Sequence, residues 1–306
     1  FNSPQGIAVS ENFVFVSDNK LNKIQKFDLD GNFVSQWGIT GKSNDVQIAG
    51  FLIALRSKGE TVEEISGFAE AMRSNMIKVS LDCNAIDMCG TGGDSTGTFN
   101  ISTAASFVAA GAGIHIAKHG NRSMTSKSGS ADVLQALGVP IDKAIEESAR
   151  DIEKIGLGFM FAPSYHPAMK YASGARVGLA IRTVFNILGP LCNPANVKAQ
   201  AMGIFSPNYT EVQAKVLKTL GSSDVMIFYG RDGLDEITTT NTTKITQMQN
   251  YGEIKTVEFD ASKLGLKRTS MIDLKGGNPS ENAKIIKSIL NGKNGPQRDI
   301  VLINAA

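Results

Sequence analysis

Two glycine-rich loops flank one short helical run in this chain, a pattern that calls for repeated strand–loop–helix units. The first loop is Gly90-Thr91-Gly92-Gly93-Asp94, running on to Asn100-Ile101-Ser102-Thr103. The second is Lys118-His119-Gly120-Asn121-Arg122, running on to Ser128-Gly129-Ser130. Between them Ala104 to Ala110 is small and apolar at helical spacing. Glycine lets the backbone approach an anion closely, and a helix start adds unpaired N–H groups and a positive dipole end. One such loop is common in α/β proteins. Two of them, with a lysine, an arginine and several hydroxyls, point to a substrate carrying more than one phosphate.

The flanking sequence fits that pattern. Val46, Ile48, Phe51, Leu52 and Leu55 form a helical stripe over Val46 to Arg56, stopped by Lys58-Gly59-Glu60. Thr61-Val62-Glu63-Glu64 opens the next helix as a capping box, with the stripe Ile65, Phe68, Ala69, Met72. Ala85 to Cys89 predicts a buried strand delivering the first loop, and Ile114 to Ala117 another delivering the second. Ala131 to Leu137 predicts a short helix with Ser130 as N-cap and Gly138 as its stop. Val225 to Tyr229 and Ile300 to Ile303 are read as further strands, with Asp299 and Ile300 opening the last. The whole predicts an α/β fold, with helices on a largely parallel sheet.

Bulk properties exclude some function classes. Lys+Arg 31 against Asp+Glu 29 leaves no excess of the kind that generic nucleic-acid or membrane-surface binders show. Cys83, Cys89 and Cys192 have no CxxC spacing and an odd count, which argues for buried thiols in a reducing, cytoplasmic setting. No signal peptide and no bilayer-length apolar run is visible. No His/Cys cluster has zinc spacing, and no Ser-His-Asp constellation stands out. The chain begins at Phe1, which leaves its natural start open.

The texture changes near Gly41-Lys42-Ser43. Before it, Phe13 to Ser17, Ile24 to Phe27 and Phe33 to Trp37 are short β-type runs separated by Ser17-Asp18-Asn19-Lys20 and Asp28-Leu29-Asp30-Gly31-Asn32. Pro4 to Val9, these runs and the closing Trp37-Gly38 together resemble one repeat of the NHL β-propeller family over residues 1–41. A propeller needs several blades, and no second copy follows. The segment is therefore expected to be an appendage without a role of its own. A propeller-type interaction protein is the other reading.

From about Asp45 to Ala306 the residues resemble the anthranilate phosphoribosyltransferase family. The runs that carry the likeness are Asp87 to Asp94, Thr98 to Thr103, Lys118 to Leu137 and Arg182 to Leu191 with Asn193-Pro194. Gly233-Leu234-Asp235-Glu236 and Arg298 to Ala306 continue it in family order. The resemblance implies a large α/β domain of the nucleoside phosphorylase and phosphoribosyltransferase type, with a small α-helical domain. Residues 44–78 would be part of that helical domain and residues 79–306 the α/β domain. In the family, further helices stand where the NHL-like segment lies here, and others follow the position of Ala306.

The reaction so implied moves phosphoribose from 5-phosphoribosyl 1-pyrophosphate to the amine of anthranilate, releasing pyrophosphate, in tryptophan biosynthesis. Such chemistry needs positioning and charge stabilisation rather than a covalent nucleophile. Carried over by motif, Gly90, Gly93, Asp94, Thr98, Asn100, Ile101, Ser102 and Thr103 would bind phosphoribosyl pyrophosphate. Lys118, His119, Gly120, Asn121, Arg122, Ser123, Met124, Thr125, Ser126 and Ser130 would close over it. Gly90, Asn121 and Arg176 would meet anthranilate, Arg176 at its carboxylate. Ser102, Asp235 and Glu236 would hold Mg2+. Taken alone, Asp235-Glu236 is a solvated acidic pair and Arg176 a surface charge, with Arg182 an equally basic neighbour. His119 and His166 stay open between contact with the acceptor and a structural role. The family forms homodimers, and neither nucleic acid nor membrane is implied as partner. A nucleoside phosphorylase of the same fold would share the loops without needing the acidic pair. A nucleic-acid-binding relative is the third alternative.

Overall fold

The computed structural model describes residues 4–9, 13–18, 23–37, 44–94, 96–123 and 127–306. It divides into two compact units, residues 1–75 with 167–188, and residues 76–166 with 189–306.

The first unit opens with an antiparallel meander of β1 (Pro4–Val9), β2 (Phe13–Asp18), β3 (Lys23–Asp28) and β4 (Phe33–Trp37), in that spatial order. The β3–β4 turn is fixed locally: Asp28 Oδ1 accepts the Asn32 N–H at 2.7 Å, and Gly31 takes φ 84°. Two helices follow, α1 (Asp45–Lys58) and α2 (Val62–Ser74). Each starts with the reciprocal cap its sequence encodes. Asn44 with Gln47 caps α1, and the predicted pair Thr61 and Glu64 caps α2. Leu52, Leu55, Ile65 and Ala69 form the buried stripes.

The second unit is a seven-stranded sheet with helices. Its first half runs β5 (Ala85–Gly90), α3 (Ile101–Gly111), β6 (His115–Gly120), α4 (Ser130–Ala136), α5 (Ile145–Ile155), β7 (Leu157–Phe161) and the single turn α6 (Ala162–Tyr165). The chain then contributes α7 (Lys170–Leu179) and α8 (Phe185–Leu188) to the first unit, where α7 lies against α1. The second unit resumes with β8 (Ala199–Gly203), α9 (Thr210–Thr219), β9 (Asp224–Gly230), β10 (Thr243–Met248) and β11 (Lys255–Phe259). It closes with α10 (Pro279–Leu290) and α11 (Pro296–Ala305).

Sheet order is β11-β10-β9-β8-β5-β6-β7, parallel from β9 through β7 and antiparallel at β10 and β11. The chain winds from β5 toward β7, then returns to β8 on the other side of β5. A reversal of this kind leaves a crevice at the carboxyl ends of the two strands, the usual ligand position in open α/β sheets. The first glycine loop leaves β5 at that point.

Two local expectations are corrected. Ile300 to Ile303 is not a strand but part of α11. Gly295 at φ 133° and Pro296 at the first helical position start a helix there, and a four-residue apolar run is too short to separate the two forms by period. Ile300 and Val301 are fully buried in the core shared with Met88, Ile101, Ala104, Ala105 and Val133. The N-cap of α4 is Gly129, not Ser130, because Asp132 reaches back to accept the Gly129 N–H at 2.9 Å. Among the described residues no helix is long and apolar enough to cross a membrane.

Candidate active site

The parallel strands of the second unit deliver both loops to one edge of the sheet. Gly90 ends β5 and Gly120 ends β6, so Lys118 and His119 belong to a strand rather than a loop. Beyond Gly90, Thr91 N–H donates to the Gly203 carbonyl at 3.0 Å, and Thr91 Oγ1 accepts the Phe205 N–H at 3.0 Å. The first loop is thereby fixed to the end of β8. Asp94 accepts from the Thr96 hydroxyl and backbone, a local turn within the same loop.

The segment after β9 meets the first loop directly. Asp235 Oδ2 accepts the Gly92 N–H at 2.9 Å, and Glu236 Oε1 accepts the Ser102 N–H at 3.0 Å at the start of α3. Close approach is possible only because β8 ends in glycine: a Cβ on Gly203 would lie 1.7 Å from the Asp235 carbonyl oxygen. Asn304 of α11 holds the segment from behind, bonding both the N–H and the carbonyl of Ile237. Asp235 keeps some accessible surface, yet enough protein surrounds its carboxyl to push it up to about 7, with the charge of Asp94 adding to the effect. Burial and the charge of Asp235 raise Glu236 well above the ordinary carboxylate range, while Lys118 works against that rise.

Raised by burial and by their acidic neighbours, the two carboxyls form a hard-oxygen pair suited to a divalent cation such as Mg2+. Among the described residues no group of three or more His, Cys, Asp or Glu side chains has a metal-holding arrangement. A cation here would rely on this pair, on a hydroxyl such as that of Ser102, and on substrate oxygens. The residues fit the group on those terms.

The second loop is organised by two residues the sequence reading did not single out. Asp132 Oδ2 accepts the N–H groups of Ser123 and Gly129 at 3.0 and 2.9 Å, and its Oδ1 meets Arg122 at 2.8 Å. Asn282 of α10 donates to Asn100 Oδ1 at 3.0 Å. Asn100 in turn donates to the Ser128 carbonyl at 2.9 Å and accepts from the Ser128 hydroxyl at 3.1 Å. Its side chain therefore stitches the two loops together. The Asn282 contact is invisible in a linear sequence because it joins residues far apart in the chain, whereas Asp132 bonds within its own loop and to Gly129 just before it. Gly129 sits so tightly under Asn121 to Ser123 that a Cβ would lie 2.4 Å from Ser123 N.

The other predicted residues fall as follows. Gly93 and Thr98 lie in the first loop, Thr98 bridged to Lys275. Ile101 and Thr103 bury their side chains, leaving only backbone at the helix start. Lys118 is buried and donates to the Met88 carbonyl. Ser130 Oγ donates to the Asn121 carbonyl at 3.3 Å. His119 and His166 face each other with Nε2 atoms 3.1 Å apart. Burial, reinforced by His166, pushes the His119 ring down to about 3, so it is neutral at physiological pH. Met124, Thr125 and Ser126 lie outside the described residues. Arg176 belongs to the first unit, on α7, with its guanidinium 5.1 Å from the Phe185 ring centroid.

Fold and loops define a class first: residues 82–306 match the glycosyl transferase family a/b domain, and residues 34–76 match the helical bundle domain of that family. Within it the chain belongs to the anthranilate phosphoribosyltransferase family. It is 54% identical over 267 residues to the anthranilate phosphoribosyltransferase of Acetivibrio thermocellus, covering 87% of this chain and 77% of the relative. To that of Alkaliphilus metalliredigens it is 52% identical over 273 residues, covering 89% and 80%. The crystal structure of the Thermus thermophilus enzyme superposes with TM-score 0.80 at 39% identity, over 86% of this chain and 78% of that one. The Saccharomyces cerevisiae enzyme in complex with PRPP and Mg gives TM-score 0.77 at 31% identity, over 85% and 74%.

Proposed function

We propose that this chain transfers phosphoribose from 5-phosphoribosyl 1-pyrophosphate to the amine of anthranilate, releasing pyrophosphate, as a step of tryptophan biosynthesis. The observation that carries this reading is the 54% identity to an anthranilate phosphoribosyltransferase across 87% of the chain. A nucleoside phosphorylase of the same fold would not need a cation at the Asp235–Glu236 pair, whereas pyrophosphate release would use one there.

The roles of individual residues follow from chemistry. The N–H groups and hydroxyls of the first loop and the α3 start bind the pyrophosphate and ribose, with Gly90, Gly93, Asp94 and Thr98 to Thr103 lining that side. Gly120 to Ser126 and Ser130 cover the substrate from the second loop, with Lys118 and His119 behind them at the end of β6. Mg2+, held by Asp235 and Glu236 with Ser102, offsets negative charge on the leaving pyrophosphate. Arg176 takes the anthranilate carboxylate, and Gly90 and Asn121 border the amine. Catalysis rests on placing the amine against the anomeric carbon and stabilising charge as the C–O bond opens.

Residues 44–78 are read as part of the helical domain and 79–306 as the α/β domain. Residues 1–41 are read as one NHL-like repeat, supported by the four-stranded meander in sequential order. A homodimer is supported by apolar side chains exposed on α1 and α7, namely Val46, Phe51, Ile53 and Val177. A cytoplasmic setting is supported by the three free thiols. The test is fluorimetric. Anthranilate fluorescence should fall when protein, phosphoribosyl pyrophosphate and Mg2+ are combined, and constant fluorescence would sink the reading.

A further inference from the structure

Strands β5 and β6 carry the two phosphate loops, yet they are joined differently from their neighbours. Their paired register covers only Ala85 with His115 and Ile86 with Ile116. On the far side β5 stays paired with β8 as far as Gly90 and Gly203, and β6 with β7 as far as Gly120 and Phe161. In a parallel pair the backbone bonds ordinarily continue along the whole overlap. Here side chains cross the seam instead. Asp87 Oδ1 of β5 accepts the His119 N–H of β6 at 3.3 Å, and Lys118 Nζ of β6 donates to the Met88 carbonyl of β5. Asp87 is 0% and Lys118 2% exposed. Asp87 Oδ2 has no hydrogen-bond partner of good geometry, although Asn193 and Cys89 stand close enough to favour its charged form.

We propose that Asp87 is a positioning residue for the phosphoribosyl pyrophosphate site, setting the spacing of the two loops through the His119 N–H and standing as the acidic partner of the buried Lys118 between them. Asp87 lies three residues before Gly90, and its two partners lie immediately before Gly120. A displacement at the seam is therefore passed directly to both loops. The inference rests on the substrate reading given above.

A purely structural role makes the opposite demand on stability. Burial pushes the Asp87 carboxyl up to about 6, against the pull of Asn193 and the charge of Lys118, and burial lowers the Lys118 amine. Burying a carboxyl and an amine together in the interior opposes folding, and such a cost persists where function needs it. Glu236 and the buried thiol of Cys89 are the other titratable groups that face Lys118.

The test uses the full chain and the near-isosteric Asp87→Asn. The Michaelis constant for phosphoribosyl pyrophosphate should rise about tenfold or more, a loss of about 1.4 kcal/mol per decade. That for anthranilate should change less than twofold, and the melting temperature should hold or increase. In a Lys118→Gln background the same Asp87→Asn change should have little further effect, since coupled residues are non-additive. Unchanged phosphoribosyl pyrophosphate dependence would overturn the proposal. So would a variant that fails to fold, or one that melts lower and loses both substrates equally, because stability would then be the whole role. If the unaltered chain shows no phosphoribosyl pyrophosphate-dependent turnover, the substrate reading itself fails and takes this inference with it.

Discussion

Glu236 Oε1 accepts the Ser102 N–H at 3.0 Å, so a carboxylate from the segment after β9 caps the first turn of α3. The acidic pair is thus part of the same anion-binding helix start that it would serve through a cation. Without one, both carboxyls titrate high, Asp235 to about 7.

The pH consequence has a definite sign. A carboxyl with its folded-state pKa raised binds protons more readily when folded, so its contribution to stability falls as pH rises from about 4 through about 7. In metal-free buffer the melting temperature should therefore decline across that window. Added Mg2+ should raise the melting temperature more at pH 8 than at pH 6. An equal Mg2+ shift at both values would remove the pair from the cation site. Differential scanning fluorimetry with and without chelator reads this directly.

Gly203→Ala tests how the segment is seated. Its Cβ would fall 1.7 Å from the Asp235 carbonyl oxygen, a clash with backbone that no rotamer relieves. The expected loss is about 1–3 kcal/mol of stability, measured by chemical denaturation, together with weaker Mg2+ binding by calorimetry. Wild-type values in both would show that the segment has room to shift.

Asp132→Ala removes one acceptor from two backbone N–H groups and one partner from Arg122. Both donors are only partly buried, so each left unmet costs toward the lower end of about 1–3 kcal/mol. The variant should lose affinity for phosphoribosyl pyrophosphate by roughly tenfold or more, with anthranilate affinity little changed. Steady-state kinetics with each substrate varied in turn would show it.

Arg176→Ala and Lys118→Ala should divide the substrates. Loss of a charge-assisted carboxylate contact costs about 1.5–3 kcal/mol, so Arg176→Ala should impair anthranilate use far more than phosphoribosyl pyrophosphate use. Lys118→Ala should do the reverse. Equal effects on both substrates from either change would contradict the assignment.

Sequence made the local devices legible. The Thr61–Glu64 capping box, the strand into Gly90 and the α3 helix between the loops are each encoded within a few residues, and each stands in the structure. The acidic pair was legible from its motif, and the structure sets it against the first loop at Gly92 and Ser102. What escaped depends mostly on distant partners. Asn282 and Asp87 organise the loops through bonds to residues elsewhere in the chain, and their own surroundings in sequence are unremarkable. Asp132 instead bonds within its own loop, to Gly129, Ser123 and Arg122, where Ser130 is the more conspicuous cap residue. Ile300 to Ile303 misled because four apolar residues suit a buried strand or helix equally, and Pro296 with Gly295 decides the matter upstream. Residues 167–188 group with α1 and α2 although they stand between β7 and β8 in the chain, a long-range return that no local pattern announces.

The most direct measurement of the central claim is stoichiometric. Protein incubated with anthranilate, phosphoribosyl pyrophosphate and Mg2+ should release one pyrophosphate for each anthranilate consumed, and neither substrate should be consumed when the other is omitted. Pyrophosphate release that does not depend on anthranilate, or anthranilate that persists unchanged, would contradict the account.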